Sequence, residues 1–133
     1  MLVPPSRQRS RLGTAAYRDY SQLAQWNGEG ARSDPAAARA HWARTSRFVW
    51  VRGTEDTVVY PNEGEQWGAL TGAYPANKTV VPMQQTAWYI EDAFGLKTAD
   101  AAGKHAYEQF EGNHIRFTIE ELYAWLAKYF ARG

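Results

Sequence analysis

The segment Phe48-Val49-Trp50-Val51 constrains the fold most, because four apolar residues rich in β-formers stand together there. An unbroken apolar run of this length is typical of a strand buried on both faces of a parallel sheet. His105–Phe110 alternates partly between apolar and polar residues and predicts a second central strand. Helical patterns separate the two runs along the chain, and this order of elements predicts an α/β fold with parallel strands and flanking helices.

Short start and stop signals predict the remaining elements. We expect one helix over Gly13–Trp26 and a strand over Thr79–Val81. A second helix is expected from Pro35 to about Ser46, with Ser33 as the side-chain acceptor before it. Two more are expected from Asn62 to Leu70, with Glu65 completing the cap, and from Ala87 to Phe94, with Gly95 as the stop. A Thr-x-x-Glu capping box begins the last helix, which runs to the C-terminus. Its members are Thr118 and Glu121, with Phe117 and Leu122 as a hydrophobic staple and Ile119, Leu122, Tyr123, Leu126, Tyr129 and Phe130 on one face.

Composition narrows the class of protein. The 133 residues are 44% apolar, which is enough for one globular domain, and 15 basic against 14 acidic residues give no general attraction for nucleic acid. No apolar run is long enough to span a membrane, and the start of the chain lacks the apolar stretch of a secretory signal. The absence of cysteine excludes disulfides, thiolate metal sites and a cysteine nucleophile. We expect a loose basic lead-in over residues 1–12 and a domain over residues 13–133.

A titratable residue follows each of the two main strands. Asp56 comes after Phe48–Val51, and His114 comes after His105–Phe110. Loops at the carboxyl ends of parallel strands line the ligand crevice of an open sheet, so we expect the two side chains to meet there. A carboxylate that accepts from one imidazole nitrogen fixes the tautomer and leaves the other nitrogen free to take a proton. An acid followed by a histidine near the C-terminus is also the order found in α/β hydrolases.

The other titratable residues give weaker signals. His41 reads as a solvated or packing residue and His105 as a packing residue, and no group has the spacing of a metal site. Glu55, Glu63 and Glu65 read as a solvated acidic loop, in which Glu55 is the one alternative to Asp56 as the acid. None of the five serines stands in a Gly-x-Ser-x-Gly turn, so no nucleophile is predicted within this sequence.

Several stretches in the right order resemble the palmitoyl-protein thioesterase family. They are Phe48–Val51, Glu55-Asp56-Thr57-Val58-Val59-Tyr60-Pro61, Glu65-Gln66-Trp67-Gly68, Val81–Thr86, Tyr89–Lys97, Asp100–Lys104 and Glu111-Gly112-Asn113-His114-Ile115. The resemblance covers about nine-tenths of the chain but only the second half of the family's domain. It therefore implies the C-terminal half of an α/β-hydrolase fold, incomplete without an N-terminal half. The family usually has acids where Asn113 and Tyr60 stand, and it has cysteines that are absent here.

The resemblance implies a hydrolase that cleaves the thioester between a fatty acyl chain and a protein cysteine. It implies Asp56 as the acid and His114 as the base, with the serine in the N-terminal half of the domain, upstream of these residues, and no cofactor. Val58, Val59 and Trp67 are candidates for contact with the acyl chain, although ordinary packing is the alternative for the tryptophan. S-acylated proteins or fatty acyl thioesters would be the substrates.

Two further expectations concern location and activity. Asn77-Lys78-Thr79 is an N-glycosylation pattern, which agrees with the lysosomal or secretory route of the family, although this sequence shows no signal peptide. The missing serine turn leaves an alternative function open, in which the chain is a non-catalytic remnant that binds lipid or a partner protein. Half of a parallel sheet leaves an open edge and an apolar face, so we expect the isolated chain to be marginally stable or prone to aggregation.

Overall fold

A computed structural model describes residues 15–26, 30, 32–71 and 79–131. The chain divides into two compact units, of which the first comprises residues 1–46 and 84–104 and the second comprises residues 47–83 and 105–133. The basic lead-in over residues 1–12 and the glycosylation pattern at Asn77 lie outside the described residues. None of the described helices is long and apolar enough to cross a membrane.

The described part of the first unit is helical. Its helices are α1 (Ala15–Tyr20), α2 (Gln22–Trp26), α3 (Pro35–Arg44), α4 (Ala87–Ile90) and α5 (Leu96–Ala101). The single helix expected over Gly13–Trp26 is therefore two short ones. The interruption falls at Ser21, whose hydroxyl accepts the N–H of Ala24 and so competes with a continuous helix.

Two helix ends in this unit differ from the sequence prediction. Asp34, not Ser33, caps α3, because its carboxylate accepts the N–H of Ala37. Gly95 does not end a helix but precedes α5, with a φ of 101° that suits glycine. A Cβ there would lie 3.2 Å from the Cβ of Trp42, whose ring contacts Phe94 at 4.9 Å.

The second unit contains the predicted parallel strands. β1 (Phe48–Gly53) pairs with β4 (His105–Phe110) in parallel, with Phe48 opposite His105 and Gly53 opposite Phe110. β2 (Ala69–Thr71) and β3 (Thr79–Val81) form a separate antiparallel pair. The parallel pair, with a helix of the same unit packed on it, agrees with the α/β arrangement predicted from the sequence. β1 is half-buried along most of its length, so the expectation of full burial on both faces is wrong for this strand.

The segment that follows β1 differs from the helix expected over Asn62–Leu70. A short 3₁₀ helix covers Asn62–Gln66, and β2 begins at Ala69. Asn62 does not cap this helix, because its amide donates to the carbonyls of Gly53 and Thr54. The local pattern resembled a cap, but the side chain bonds instead to the end of β1.

The two faces of the parallel pair carry different side chains. Aromatic rings cover one face, where Phe48 stacks on Trp50 at 5.6 Å and Trp67 meets the edge of Trp50 at 5.2 Å. α6 (Ile119–Phe130) packs on the other face, and its Trp125 lies 6.4 Å from the buried ring of Phe110. The sheet is therefore held between an aromatic layer and a helix.

The predicted capping box of α6 is confirmed. The Thr118 hydroxyl accepts the N–H of Glu121, and the Glu121 carboxylate accepts the N–H of Thr118. Phe117, the residue before the cap, packs its ring against Phe110 at 5.6 Å and Trp125 at 5.4 Å. The start of α6 is thus fixed beside the end of β4.

Candidate active site

The carboxyl ends of β1 and β4 continue into two loops that are bonded to each other. Thr54 donates its N–H to the carbonyl of Phe110, and Glu55 donates to the carbonyl of Gly112. Gly53 allows the loops to approach closely, because a Cβ there would lie 2.9 Å from the carbonyl oxygen of Gly112. The pairing of the strands is therefore extended into the segments that carry Asp56 and His114.

Asp56 is buried and its carboxylate is fully engaged. Its side chain has no solvent exposure. Oδ1 accepts the N–H groups of Val58 at 2.7 Å and Val59 at 2.9 Å, and Oδ2 lies 2.7 Å from Nδ1 of His114. Burial alone would raise the pKa of this carboxyl, but its hydrogen bonds outweigh burial and hold the pKa below the usual value. The side chain is thus kept as a carboxylate.

His114 faces that carboxylate with one ring nitrogen. Because ionised Asp56 can only accept, the short contact places the proton of the neutral ring on Nδ1. Nε2 is then the nitrogen with a lone pair for proton transfer. The ring is 36% exposed, so it is accessible at the surface of this unit while Asp56 beneath it is not.

Asn113 joins the two loops. Its side-chain oxygen accepts the N–H of Thr57 at 3.1 Å and the N–H of His114 at 2.6 Å, and its amide donates to the Thr57 hydroxyl at 3.0 Å. These bonds tie the segment after Asp56 to the backbone of the histidine. No sequence pattern indicated this role, since Asn113 stood out only as a departure from the acid that the resembling family usually has there.

Glu65 is the second functional candidate that sequence reasoning missed. It was expected in a solvated acidic loop with Glu55 and Glu63, but its Oε2 accepts the N–H of Gly53 at 2.9 Å. Burial, and then the negative charge and contact of Asp56, raise its pKa against the lowering effect of the Gly53 bond. Its position three residues after Asn62 was interpreted as part of a helix cap. That interpretation directed attention away from a role beside Asp56.

The three residues predicted to contact substrate lie in different environments. Val58 is next to the pair along the chain and is 69% exposed, whereas Val59 is half-buried. Trp67 packs in the aromatic layer against Trp50. Contact of these side chains with an acyl group stays a prediction, and the structure gives Trp67 a packing partner.

Asp56, Glu65 and His114 form a tight polar cluster. One potential ligand atom from each lies within 4.8 Å of the others, a spacing that could hold a metal ion. Hydrogen bonds from Val58, Val59 and Gly53 already occupy the carboxylate oxygens named above. Within the described residues, hydrogen bonding therefore accounts for the arrangement of the cluster.

A carboxylate bonded to Nδ1 of a histidine, at the carboxyl end of a parallel strand pair, is the arrangement that α/β hydrolases use for their acid and base. The family profile described as palmitoyl protein thioesterase matches residues 7–114 of this chain. The chain therefore belongs to the palmitoyl protein thioesterase family, as its resemblance predicts. The family match also confirms the α/β-hydrolase fold class for the parallel strands and helices described above.

Similar curated proteins carry a more specific name. Over 83 residues the chain is 37% identical to Lysosomal thioesterase PPT2 of Mus musculus and to that of Rattus norvegicus, and 35% identical to that of Homo sapiens. The alignments cover 62% of this chain and 26% of each relative. The chain thus aligns with about a quarter of the length of these relatives.

Proposed function

We propose that this chain supplies the acid and the base of a thioesterase that hydrolyses the bond between a fatty acyl group and a protein cysteine. The observation that carries the proposal is the 2.7 Å contact between Asp56 Oδ2 and His114 Nδ1. Residues 13–133 act in it as the C-terminal part of the hydrolase domain. Because none of the five serines stands in a Gly-x-Ser-x-Gly turn, the nucleophile comes from a segment outside the given sequence.

In the proposed mechanism His114 moves protons through Nε2. It takes the proton of the serine hydroxyl while the serine oxygen attacks the thioester carbonyl, and Asp56 stabilises the imidazolium that forms. The tetrahedral intermediate collapses, the C–S bond breaks, and the sulfur leaves as a thiol with the proton from His114. A water molecule then gives a proton to Nε2 and attacks the acyl-serine, which releases the fatty acid and returns the proton to serine.

Substrate contact is proposed for the side chains beside Asp56. The exposed Val58 offers apolar surface next to the reacting groups, and Val59 and Trp67 extend the candidate set. The backbones of Val58 and Val59 bond to Asp56, and the ring of Trp67 packs against Trp50. A useful substitution therefore changes contact with substrate without disturbing this packing. Val58→Ser is the most direct variant, because the side chain is largely exposed; we expect a higher KM for a palmitoyl thioester with kcat little changed.

A chimera tests the proposed activity. Residues 47–133 of this chain replace the corresponding part of the mouse relative, and hydrolysis of a fluorogenic palmitoyl thioester is measured. We expect turnover that falls about 1,000-fold or more with His114→Ala, because the proton acceptor is lost. Glu111→Gln in the same exposed loop is the matched control and should leave turnover unchanged.

Two outcomes of this assay contradict the proposal. Full activity of the folded His114→Ala chimera would remove His114 from the mechanism. Turnover by the isolated 133-residue chain would show that a nucleophile is present within it. A folded chimera that binds the palmitoyl thioester without hydrolysing it would favour the alternative function, a non-catalytic lipid-binding module.

We also propose a lysosomal or secretory location. The supporting observations are the names of the relatives, which are lysosomal thioesterases, and the pattern Asn77-Lys78-Thr79. Expression through the secretory route of a eukaryotic cell should yield a protein whose mass falls on treatment with an N-glycosidase. Asn77→Gln should have the lower mass without treatment, and a difference no larger than the added methylene group would contradict modification at this site.

A further inference from the structure

The short 3₁₀ helix Asn62–Gln66 is bonded through its side chains to the carboxyl ends of the parallel strands. Asn62 donates to the carbonyls of Gly53 and Thr54, and Gln66 donates to the carbonyls of Trp50 and Glu108. Glu65, between them, accepts the N–H of Gly53. These polar side chains fix the backbone position of Glu65 relative to both strands.

The Glu65 carboxyl also reaches the acid–base pair. Its oxygen, a carboxylate oxygen of Asp56 and a ring nitrogen of His114 lie within 4.8 Å of one another. Asp56 is enclosed, with two backbone donors on Oδ1 and the imidazole on Oδ2. Glu65 thus places a second carboxyl group within 4.8 Å of a carboxylate whose side chain has no exposure to water.

Two adjacent carboxyl groups are most stable when they share one proton, because two negative charges at this distance repel each other. The proton belongs on the group whose ionised form is less well stabilised. Hydrogen bonds hold the pKa of Asp56 below its usual value, whereas burial and the charge of Asp56 raise the pKa of Glu65. A proton shared by the two groups would therefore be held by Glu65 rather than by Asp56.

Other charges near Glu65 have their own partners or oppose this effect. Arg52 on β1 pairs with Glu63 at 3.8 Å, so this cation is directed to another carboxylate of the same helix. His114, from the loop after β4, lowers the pKa of Glu65, but less than burial and Asp56 raise it. The net effect of the surrounding groups on the pKa of Glu65 is therefore upward.

We propose that Glu65 is a positioning residue, whose protonated carboxyl donates to Asp56 while its other bond, from Gly53, anchors the pair to the end of β1. Asp56 then gains a donor besides Val58, Val59 and His114, and this added bond holds its carboxylate in line with Nδ1 of His114. The catalytic meaning of this role rests on the proposed function, in which Asp56 and His114 are the acid and the base.

Carboxyl-carbon NMR of the whole 133-residue chain tests the shared proton. We expect the Glu65 signal to titrate at higher pH than an ordinary exposed glutamate, and to move back toward that value in Asp56→Asn, which removes the negative charge and keeps a side-chain oxygen for Val58 and Val59. Glu63, which lies on the same short helix and pairs its carboxylate with Arg52, is the internal control for indirect effects of the substitution.

Two results would overturn the proposal. In one, Glu65 titrates as an ordinary exposed glutamate in the wild-type chain. In the other, its titration is raised but unaffected by Asp56→Asn, which would mean that burial alone is responsible and that no proton is shared.

The positioning role makes a second prediction in the same chain. Glu65→Gln keeps a neutral donor for Asp56 and an acceptor for Gly53, so the hydrogen-bonded Nδ1 proton of His114 should be retained. Glu65→Ala removes both and should broaden or abolish that signal, while Glu63→Gln should leave it unchanged. Retention of the signal in a folded Glu65→Ala variant would contradict the positioning role.

These NMR measurements do not depend on turnover, so they separate the two proposals. If the Glu65 titration is independent of Asp56 while His114→Ala abolishes turnover in the chimera, only the positioning role fails. If Glu65 shares a proton with Asp56 but the chimera is indifferent to His114→Ala, only the proposed function fails.

Discussion

The loops that hold Asp56 and His114 differ sharply from the outer face of α6. Polar groups in the loops are buried and hydrogen-bonded, whereas apolar side chains on that face of α6 are exposed to solvent. In the loops, Asp56 is buried with three hydrogen bonds and Asn113 joins the two segments. On α6, by contrast, apolar side chains spaced along one face are 43–63% exposed; they are Ile119, Tyr123, Leu126 and Phe130. Both regions belong to the same compact unit.

The difference indicates that the polar geometry of the candidate site is determined locally. The hydrogen bonds around Asp56 come from residues of its own loop and from the loop after β4, so they do not require burial of the α6 face. The helix itself is specified by its capping box and by contacts such as Phe110 with Trp125. Substitutions in the two regions should therefore have separable effects.

Phe110→Ala should have the largest effect, because this ring is 5% exposed and lies under both regions. It contacts the rings of Phe117 and Trp125 on the α6 side, and a Cβ on Gly53 would lie 3.0 Å from it on the loop side. We expect the free energy of unfolding in urea to fall by about 3–5 kcal/mol. A loss below about 1 kcal/mol would show that the ring does not connect the two regions.

Asn113→Ala should have a smaller effect that is confined to the loops. It removes the oxygen that accepts from the N–H groups of Thr57 and His114, and we expect a loss of about 1 kcal/mol in urea unfolding. Asn113→Asp keeps that acceptor and should recover most of the stability. Equal losses in both variants would mean that the loops are not joined through this oxygen.

Asp56 predicts a dependence of stability on pH. Its pKa is lowered in the folded chain, so the ionised form contributes stability above its unfolded pKa of about 3.9. This contribution is lost as the pH falls through the lower folded value. Acid unfolding of Asp56→Asn should therefore show a flatter pH dependence below about pH 4 than the wild-type chain does. Asp34→Asn, at the exposed cap of α3, is the matched control for removing a carboxylate elsewhere. Equal acid-unfolding curves for the wild-type chain and Asp56→Asn would contradict the lowered pKa of Asp56.

Leu126→Gln should have the smallest effect on stability. The side chain is 43% exposed, so we expect a change of about 0.5 kcal/mol or less in urea unfolding. Because the variant reduces exposed apolar surface, it should also lower the aggregation expected of the isolated chain, as measured by light scattering. A loss of more than about 2 kcal/mol would mean that this face of α6 is buried in the isolated chain.

The sequence was sufficient to predict those elements in which the local residue pattern and the tertiary structure agree. The apolar run at Phe48–Val51 and the partial alternation at His105–Phe110 predict the two parallel strands, and the Thr118–Glu121 box predicts the start of α6. Asp56 and His114 could be placed together because the carboxyl ends of neighbouring parallel strands share one edge. Their 2.7 Å contact depends in addition on the hydrogen bonds of Asn113 between the two loops, which the sequence did not predict.

The sequence was insufficient where a polar side chain bonds to a distant part of the chain. Asn62 and Glu65 have the spacing of a helix cap, yet both bond to the end of β1, which local pattern cannot reveal. Glycine is a common helix stop, but Gly95 precedes α5. Asp92 accepts the N–H groups of Lys97 and Thr98 and so stabilises the start of that helix. β2 has only three residues, which are too few to show the alternation of apolar and polar side chains that predicts a strand.

The hydrogen bond between Asp56 and His114 can be measured directly from the ring nitrogens of His114. Nitrogen NMR of the 133-residue chain above neutral pH should show the proton on Nδ1, with a downfield hydrogen-bonded signal that is weakened in Asp56→Asn. The signals of His41 and His105 should not change in that variant. A His114 ring protonated on Nε2, or one whose signals are unaffected by Asp56→Asn, would contradict the acid–base pair on which the proposed function depends.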